Sequence, residues 1–443
     1  MPSVVAAAVV LALALAPQAA AARGPRSGIN ATLHMTSEDY ARLHASGTHT
    51  VRLFMFASDY NDAAYRDVAG RLRALDITPL FVVVGDPAHP PTDPAAVDAY
   101  ARFVGARAAE FRGEVAGWEI WNEEDAQAWW AGAPPIDGTA RDAAAYTTLL
   151  QATARAVRAA DPHTPVILGG LTGNDYRFLA DVYRHGGRGS FDAVAVHTDT
   201  ACNLGAPSGY LRDLDGHINQ FSFLAYREVR RVMVANGDAR RTIWMTELGW
   251  STSGSLCDSG RFAGQKAGGV SEADQAAYTA QAFHCLRLTK YVTHALVFRL
   301  RDGDGDRPDD RFGLLRADGS PKPAWDVYDQ YLHGGDRLRG ACGDFTAPRI
   351  TIRLPRRHQR FPKDLPISVS ATDVSGVPRI TLLIDGRKIR NFTDARAPRQ
   401  ARGFIDWQGA KRLRAGRHVI TVLALDRYRN TARRAVAVVK VKG

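Results

Sequence analysis

Two kinds of apolar pattern alternate along the first 330 or so residues. Short β-branched runs predict strands, and the Ala-rich stretches between them carry apolar residues at helical spacing. The predicted strands cover residues 28–35, 50–56, 79–84, 115–121, 165–168, 191–197, 242–247 and 293–300. Helical stretches lie at 62–75, 94–111, 143–160 and 272–288, with a last helix ending near 332. Eight strands alternating with helices predict an α/β fold, a (β/α)8 TIM barrel over residues 28–335.

The pattern changes after a Gly-rich joint at 334–343. Residues 345–443 contain short alternating runs at 350–354, 365–371, 379–384, 403–407, 418–425 and 435–441. Asp385-Gly386 between two of these runs is a turn signal. Six or seven short strands in a segment of about 100 residues predict an antiparallel β-sandwich.

Charge separates the same two regions. From Asp344 onward there are 23 Lys and Arg against 7 Asp and no Glu, a net charge of +16, whereas the rest of the chain carries −5. The basic segment is either a binding surface for anionic cell-wall polymers, polysaccharides or membrane surfaces, or a spacer whose arginines reflect genome composition. Its strands lack the interleaved aromatic residues of nucleic-acid binders, so we expect no nucleic-acid partner.

The N-terminus predicts export. An apolar run at 4–16 ends at Pro17 and a stretch of small residues, and it is shorter than the roughly 20 residues that span a bilayer. Residues 1–22 are therefore predicted to be a secretory signal and the mature protein to be secreted, with a short N-terminal anchor as the alternative. No later run is long enough for stable membrane insertion.

Four cysteines fit an oxidising compartment, and their spacing matches no metal site. Cys202 and Cys257 fall in the long loops after the sixth and seventh predicted strands. These loops are neighbours at the C-terminal face of a barrel, so we predict a disulfide between the two residues that holds one rim of the site.

Two glutamates lie at the ends of predicted barrel strands. Glu123 follows the fourth strand and Glu247 ends the seventh, which places both at the face where barrels carry their active sites. Glycoside hydrolysis needs such a pair: one carboxyl group protonates the leaving oxygen and the other, ionised, attacks or stabilises the anomeric carbon. This chemistry requires no cofactor and no metal.

The segments around these glutamates resemble a known clan. Trp118-Glu-Ile-Trp-Asn-Glu123 and Trp244-Met-Thr-Glu-Leu-Gly-Trp250 look like the two signature segments of clan A glycoside hydrolases, which are retaining (β/α)8 enzymes. Phe312-Gly-Leu-Leu315 followed by Lys322-Pro-Ala324 is similar to family 39 and, less specifically, to family 5.

The resemblance implies roles for four residues. Glu123 matches the acid/base and Glu247 the nucleophile, Asn122 matches a ligand of the sugar 2-hydroxyl, and Arg52 matches an arginine beside the nucleophile. Three positions depart from the pattern, which puts the sugar specificity in doubt. Glu124 follows Asn122-Glu123 where the clan usually has a proline. His197-Thr198-Asp199 stands where the clan often has His-x-Tyr, and the eighth strand offers Phe298 instead of a tryptophan.

Other candidate residues have two interpretations each. Trp129, Trp130 and Trp250 are either core residues or sugar-stacking platforms. His34 and His197 either contact a sugar hydroxyl or are satisfied barrel histidines. The other acids near Glu123 are predicted to have no catalytic role. Glu119 is expected to be a structural residue within the strand, and Glu124 and Asp125 are expected to be solvated loop acids that cap a following helix.

The C-terminal segment resembles bacterial Ig-like domains. Ala371-Thr-Asp-Val-Ser-Gly376, Leu383-Ile-Asp-Gly386 and the run from Gly416 to Asp426 carry this resemblance. Together these patterns predict an exported retaining glycoside hydrolase that acts on a poly- or oligosaccharide. The alternative is a carbohydrate- or wall-binding protein on an inactive barrel.

Overall fold

A computed structural model describes residues 24–132, 142–202, 205–258, 262–335, 339–354, 360–361 and 364–442, and for residues 199 and 200 it describes the backbone alone. The predicted signal, residues 1–22, lies outside this part. Within it, no helix has both the length and the apolar character needed to cross a bilayer.

Eight parallel strands close into a barrel in the order in which they follow one another along the chain. They are β1 Arg26–Asn30, β2 Thr50–Phe56, β3 Thr78–Val84, β4 Trp118–Asn122, β5 Val166–Leu171, β6 Ala193–Thr200, β7 Thr242–Trp250 and β8 Val292–Val297. This confirms the predicted (β/α)8 barrel, and β2 has its predicted bounds.

The first strand is shorter than predicted. The prediction continued to residue 35, but β1 ends at Asn30, whose side-chain amide donates to the backbone oxygens of Thr246 and Val297 at 2.8 and 3.2 Å. These bonds tie the strand end to its neighbours across the barrel. Residues 31–36 then form a loop, and Thr36 caps the next helix through a capping box with Asp39.

Helices follow the barrel strands on the outside. They are α1 Ser37–Ser46, α2 Asp62–Arg73, α3 Pro94–Glu110, α4 Ala143–Ala160, α5 Tyr176–Arg184, α6 Tyr226–Ala235, α7 Glu272–Arg287 and α8 Pro323–Leu332. The long helices α2, α3, α4 and α7 were predicted within two residues of their ends. The prediction of eight βα units gave no bounds for α1, α5 and α6, which have nine or ten residues and offer few repeats of the helical pattern.

The interior of the barrel has an apolar layer and a charged layer. Leu80, Ile167, Ala195, Trp244 and Leu296 come from five different strands and pack together, with the Trp244 ring stacked on His294 at 3.6 Å. The charged layer is built by buried side chains of β2, β4 and β7. A filled, apolar layer on one side leaves the other as the place for chemistry.

Two sheets form the C-terminal β-sandwich, which confirms the predicted architecture. Its strands are β9 Arg349–Arg353, β10 Arg360–Phe361, β11 Leu365–Thr372, β12 Arg379–Ile384, β13 Arg387–Thr393, β14 Gln400–Trp407, β15 Gly416–Leu425 and β16 Thr431–Lys440. One sheet has the order β10-β16-β15-β12-β13 and the other β14-β11-β9. Strand β13 was missed because it is mostly exposed and polar. Asp385 and Gly386 form the predicted turn, both with positive φ, as in a type I′ hairpin.

The barrel and the sandwich contact each other through the loop after β6. Tyr210 of this loop stacks between Phe345 and Tyr428, with ring centroids 5.2 and 4.6 Å apart. Arg212 donates to the backbone oxygen of Tyr428 at 3.0 Å and to the side chain of Asn430 at 2.9 Å. The loop therefore links a rim of the barrel to the second domain.

Two disulfides close loops of the barrel domain. Cys202 and Cys257 are bonded, which confirms the predicted pair between the β6 and β7 loops. Cys285 and Cys342 form a second bond, which joins α7 to the segment that leads into the sandwich. The prediction left this second pair open.

Candidate active site

Strand β4 delivers Asn122 and Glu123 to the C-terminal end of the barrel. Trp121 and Glu123 have positive φ angles of 74° and 47°, a backbone conformation that residues other than glycine seldom adopt. The backbone N–H of Glu123 donates to the oxygen of Gly170 at 3.0 Å, which ties the turn to β5. Such local strain is common where a strand must present a side chain to a site.

Strand β7 delivers Glu247, whose side chain is 7% exposed. Arg52 of β2 donates to Glu247 Oε1 at 2.5 Å and also to Asn30 and Asn122, at 2.9 and 2.8 Å. Its other contacts are two bonds to Glu119, at 2.8 and 3.0 Å. Burial opposes the charge of Arg52, but the carboxylates of Glu119 and Glu247 raise its pKa, so the guanidinium stays charged.

Glu119 supports Arg52 from within the barrel. It is fully buried and accepts a bond of 3.2 Å from the Thr246 hydroxyl besides the two from Arg52. The structural role that was predicted for Glu119 therefore consists of holding the guanidinium in place.

His197 lies between the two catalytic candidates. Its Nδ1 is 2.9 Å from Glu123 Oε1 and its Nε2 is 3.6 Å from Glu247 Oε1. The residue is 1% exposed, and burial lowers the pKa of the imidazole. Neither of the two predicted interpretations of His197 included a contact of the ring with both carboxyl groups.

The two carboxyl groups sit in opposite electrostatic environments. Burial, followed by the negative charge of Asp125, raises the pKa of Glu123 to about 8, while Arg52 acts against this shift. Glu247 is in direct contact with the same guanidinium, which favours its ionised form. These environments favour a protonated Glu123 and an ionised Glu247, which lie on the two sides of one imidazole.

Glu124 and Asp125 are not solvated loop acids, so that prediction was wrong. Both are buried, at 1% and 0% exposure, and no helix follows them directly. Asp125 accepts bonds from the backbone and hydroxyl of Thr172 after β5, at 3.0 Å each. Burial, then Asp125, raises the pKa of Glu124 well above its ordinary value. The segment that follows β4 therefore packs against the end of β5.

An open cavity of about 870 Å³ lies above these residues. Among the predicted site residues, Asn122, Glu123, Glu247, Trp129, His34 and Phe298 line it. The volume is in the range of cavities that hold small ligands. Arg52 and His197 are not among the residues that line the cavity, but they contact the carboxyl groups that do.

The three candidate tryptophans have different positions. Trp129 is partly exposed, lines the cavity and stacks on Phe54 at 5.6 Å, so it is available as a platform. Trp130 is buried and packs edge-on against Trp121. Trp250 is also buried, with its indole N–H bonded to the Gly205 oxygen at 3.0 Å. The burial of Trp130 and Trp250 supports the first of their two predicted interpretations, that they are core residues.

Sequence reasoning missed several cavity residues. Phe54 and Phe56 of β2 line the cavity, as do Arg299 after β8 and Asp309 of the loop that follows. The two phenylalanines stand at the C-terminal end of a strand and could have been found by the rule that identified the glutamates. Asp309 gives no such signal, because its position depends on how the long β8 loop folds.

Comparisons with known proteins agree with the fold. No protein-family model and no curated protein sequence matches the chain. A structure of a family 39 glycoside hydrolase from Bacteroides cellulosilyticus WH2 is similar with a TM-score of 0.57 and 17% identity, over 88% of this chain and 81% of that one. A glucosidase from Croceicoccus marinus gives a TM-score of 0.51 and 14% identity, over 87% and 94%. A monomeric beta-xylosidase from Caulobacter crescentus CB15 gives 0.50 and 15%, over 91% and 96%. Because these sequence identities are low, the similarity shows only that the chain shares the fold of these glycoside hydrolases.

Proposed function

We propose that this protein is a retaining glycoside hydrolase that cleaves O-glycosidic bonds of a poly- or oligosaccharide. The observation that carries the proposal is the pair of carboxyl groups on one cavity, Glu123 with a raised pKa and Glu247 in contact with Arg52. A retaining glycosidase needs one protonated and one ionised carboxyl group on the two sides of the scissile bond.

The reaction follows from these states. Glu123 gives its proton to the leaving oxygen while Glu247 attacks the anomeric carbon, which leaves a covalent glycosyl ester and an ionised Glu123. Glu123 then takes a proton from water, the hydroxide forms the new bond to the anomeric carbon, and Glu247 leaves as a carboxylate. Asn122 faces the cavity and is oriented by Arg52, which suits a bond to a sugar hydroxyl.

A panel of substrates tests the activity. Wild type should hydrolyse at least one member of a set of polysaccharides and of aryl glycosides whose leaving groups need protonation. Glu247→Ala and Glu123→Gln should each lower that rate by several orders of magnitude while the circular dichroism spectrum stays unchanged. Full activity in either variant would contradict the assignment.

The competing function is a carbohydrate- or wall-binding protein on an inactive barrel. Asp199 of β6 stands where the clan often has a tyrosine, which favours this function, whereas the opposite environments of Glu123 and Glu247 favour catalysis. A 2-deoxy-2-fluoro glycoside with a good leaving group separates the two, because it labels Glu247 only if that carboxylate is a nucleophile. Peptide mass mapping after labelling would find the adduct on Glu247, and a pure binder would stay unlabelled.

Export is part of the proposal. The apolar segment at 4–16 suggests a signal, and the two disulfides fit an oxidising compartment outside the cytoplasm. Mass spectrometry of the secreted chain would detect a mature protein that begins near residue 23, and retention of the full chain in the cytoplasm would contradict export.

A binding role for the sandwich is favoured by its unpaired cations. Arg387, Lys388 and Arg390 of β13 are all exposed, and none of them has a carboxylate within ion-pair distance in the described part of the chain. Excess positive charge on one surface attracts polyanions. We propose that this domain holds the enzyme on an anionic wall polymer.

Charge reversal tests this role. Full-length protein with all three β13 cations changed to Glu should sediment less with an anionic polysaccharide, and a matched control with Arg112, Arg155 and Arg240 of the barrel changed to Glu should sediment as wild type does. Equal losses in both variants would mean that net charge, and not this strand, governs binding.

A further inference from the structure

The imidazole of His197 is confined between two carboxyl groups. It is buried, with Nδ1 at 2.9 Å from Glu123 Oε1 and Nε2 at 3.6 Å from Glu247 Oε1. Nε2 has no hydrogen-bond partner within the described residues. Gly170 of β5 leaves the space that the ring fills, because a β-carbon there would come within 2.6 Å of two ring carbons. The absence of a side chain at position 170 therefore lets the ring lie between the two carboxyl groups.

A neutral imidazole has one N–H and one lone pair, so it can satisfy two neighbours only if they differ. Two ionised carboxylates would leave one of them facing a lone pair. A protonated Glu123 instead donates to Nδ1, and the Nε2 proton then faces the Glu247 carboxylate. The charged groups that act on the imidazole are Glu123, Glu247, Arg52, Glu119 and Asp125.

We propose that His197 is a positioning residue which, as the Nε2–H tautomer, selects a protonated Glu123 together with an ionised Glu247. This inference rests on the proposed function and deepens it, because that pair of states is the one in which the double displacement begins. One side chain then serves the acid and the nucleophile at once.

Nitrogen-15 NMR of histidine-labelled full-length protein tests the tautomer without any substrate. The His197 ring is assigned by its absence in His197→Asn. At about pH 6, below the pKa of about 8 of Glu123, we expect a protonated Nε2 and an unprotonated Nδ1. Above that value the ionised Glu123 should draw the proton to Nδ1. Glu123→Gln, whose amide can still donate to Nδ1, should keep the Nε2–H form at both pH values.

Other outcomes of this experiment would overturn the inference. These are a protonated Nδ1 with a bare Nε2 at about pH 6, an imidazolium at that pH, or a wild-type tautomer that does not change with pH. Because the spectra need no substrate, they can fail while the hydrolysis proposed above is observed, and hydrolysis can fail while they succeed.

Two variants of His197 test its contacts with Glu123 and Glu247 separately in a kinetic experiment. His197→Asn keeps an acceptor, the amide oxygen, near the Nδ1 position, and His197→Gln keeps a donor near the Nε2 position. The Asn variant loses the proton that faces Glu247, so the acidic limb of the kcat/KM profile should move up by about one pH unit. The Gln variant loses the acceptor that faces Glu123, so the basic limb should move down by a similar amount. A residue that only fills space would lower the rate at every pH and move neither limb, and that result would contradict the inference.

Discussion

Glu123 must hold a proton when substrate binds, so its pKa determines the upper pH limit of activity. Burial, then Asp125 and Asp309, raise this pKa to about 8. The shift of roughly three to four units from an ordinary glutamic acid corresponds to about 5 kcal/mol in favour of the protonated form. At neutral pH about nine-tenths of the molecules then carry the proton, against well under a hundredth for an unshifted carboxyl group. Because the proton is lost as pH rises, kcat/KM should fall about tenfold per pH unit above pH 8.

Asp309→Asn is the perturbation that tests this origin. Asp309 is exposed in the cavity, and no hydrogen bond or ion pair joins it to the other described residues. The amide has the same shape but removes a negative charge that acts on Glu123. The basic limb should therefore move to lower pH by up to about one unit, the effect of about 1 kcal/mol of screened repulsion. The acidic limb, which we assign to Glu247, should stay in place. The assay is the initial rate of an aryl glycoside over the full pH range.

Glu123→Gln is the control for this assay. With a dinitrophenyl leaving group, which needs no protonation, the variant should retain its first step and lose the basic limb. If the same limb persists in Glu123→Gln, it belongs to another group and the reasoning is refuted. A limb that moves to higher pH in Asp309→Asn would show that the charge of Asp309 does not act as described.

Three further predictions concern the scaffold. Replacing Cys202 and Cys257 by Ser opens a loop with a sequence separation of 55 and should lower the free energy of unfolding by up to about 4 kcal/mol. The measurement is urea denaturation without reductant, and an unchanged midpoint would contradict this prediction. Gly170→Ala should displace the His197 ring, because the added β-carbon would overlap with it, and should lower the free energy of unfolding by about 1–3 kcal/mol. The rate and both limbs of the kcat/KM profile against pH should change as well. An unchanged pH profile would mean that the position of the ring does not depend on this glycine. Arg52→Met removes the cation that two buried carboxylates share and should cost about 3–5 kcal/mol, visible as a lower melting temperature. An unchanged melting temperature would mean that these carboxylates are neutral.

The sequence predicted the architecture because its strongest signals are periodic. The long helices and the β-branched strands repeat their pattern often enough to be located, and parallel strands bring their ends to one face. That rule alone placed Glu123 and Glu247 on one cavity, although they are 124 positions apart. It needed no knowledge of how the loops fold.

The loops are where the predictions failed, because a turn has no period. Trp129 and Trp130 are adjacent, yet one lines the cavity and the other packs in the core. Glu124 and Asp125 read as solvated acids, and their burial depends on the contact of Asp125 with Thr172 after the next strand. No local pattern contains that contact.

The same burial explains why so many acids follow one strand. Within the charged layer, Glu119 and Glu247 share the guanidinium of Arg52, so one negative charge remains even when Glu123 is neutral. Arg52 is also the cation that lowers the pKa of Glu123, so an ionised Glu123 would share one guanidinium with Glu119 and Glu247. Asp125, buried behind it, adds to the same repulsion. The crowding of acids at the end of β4 therefore keeps the proton on Glu123, while Arg52 on the other side keeps Glu247 ionised, and the two roles follow from where one guanidinium lies.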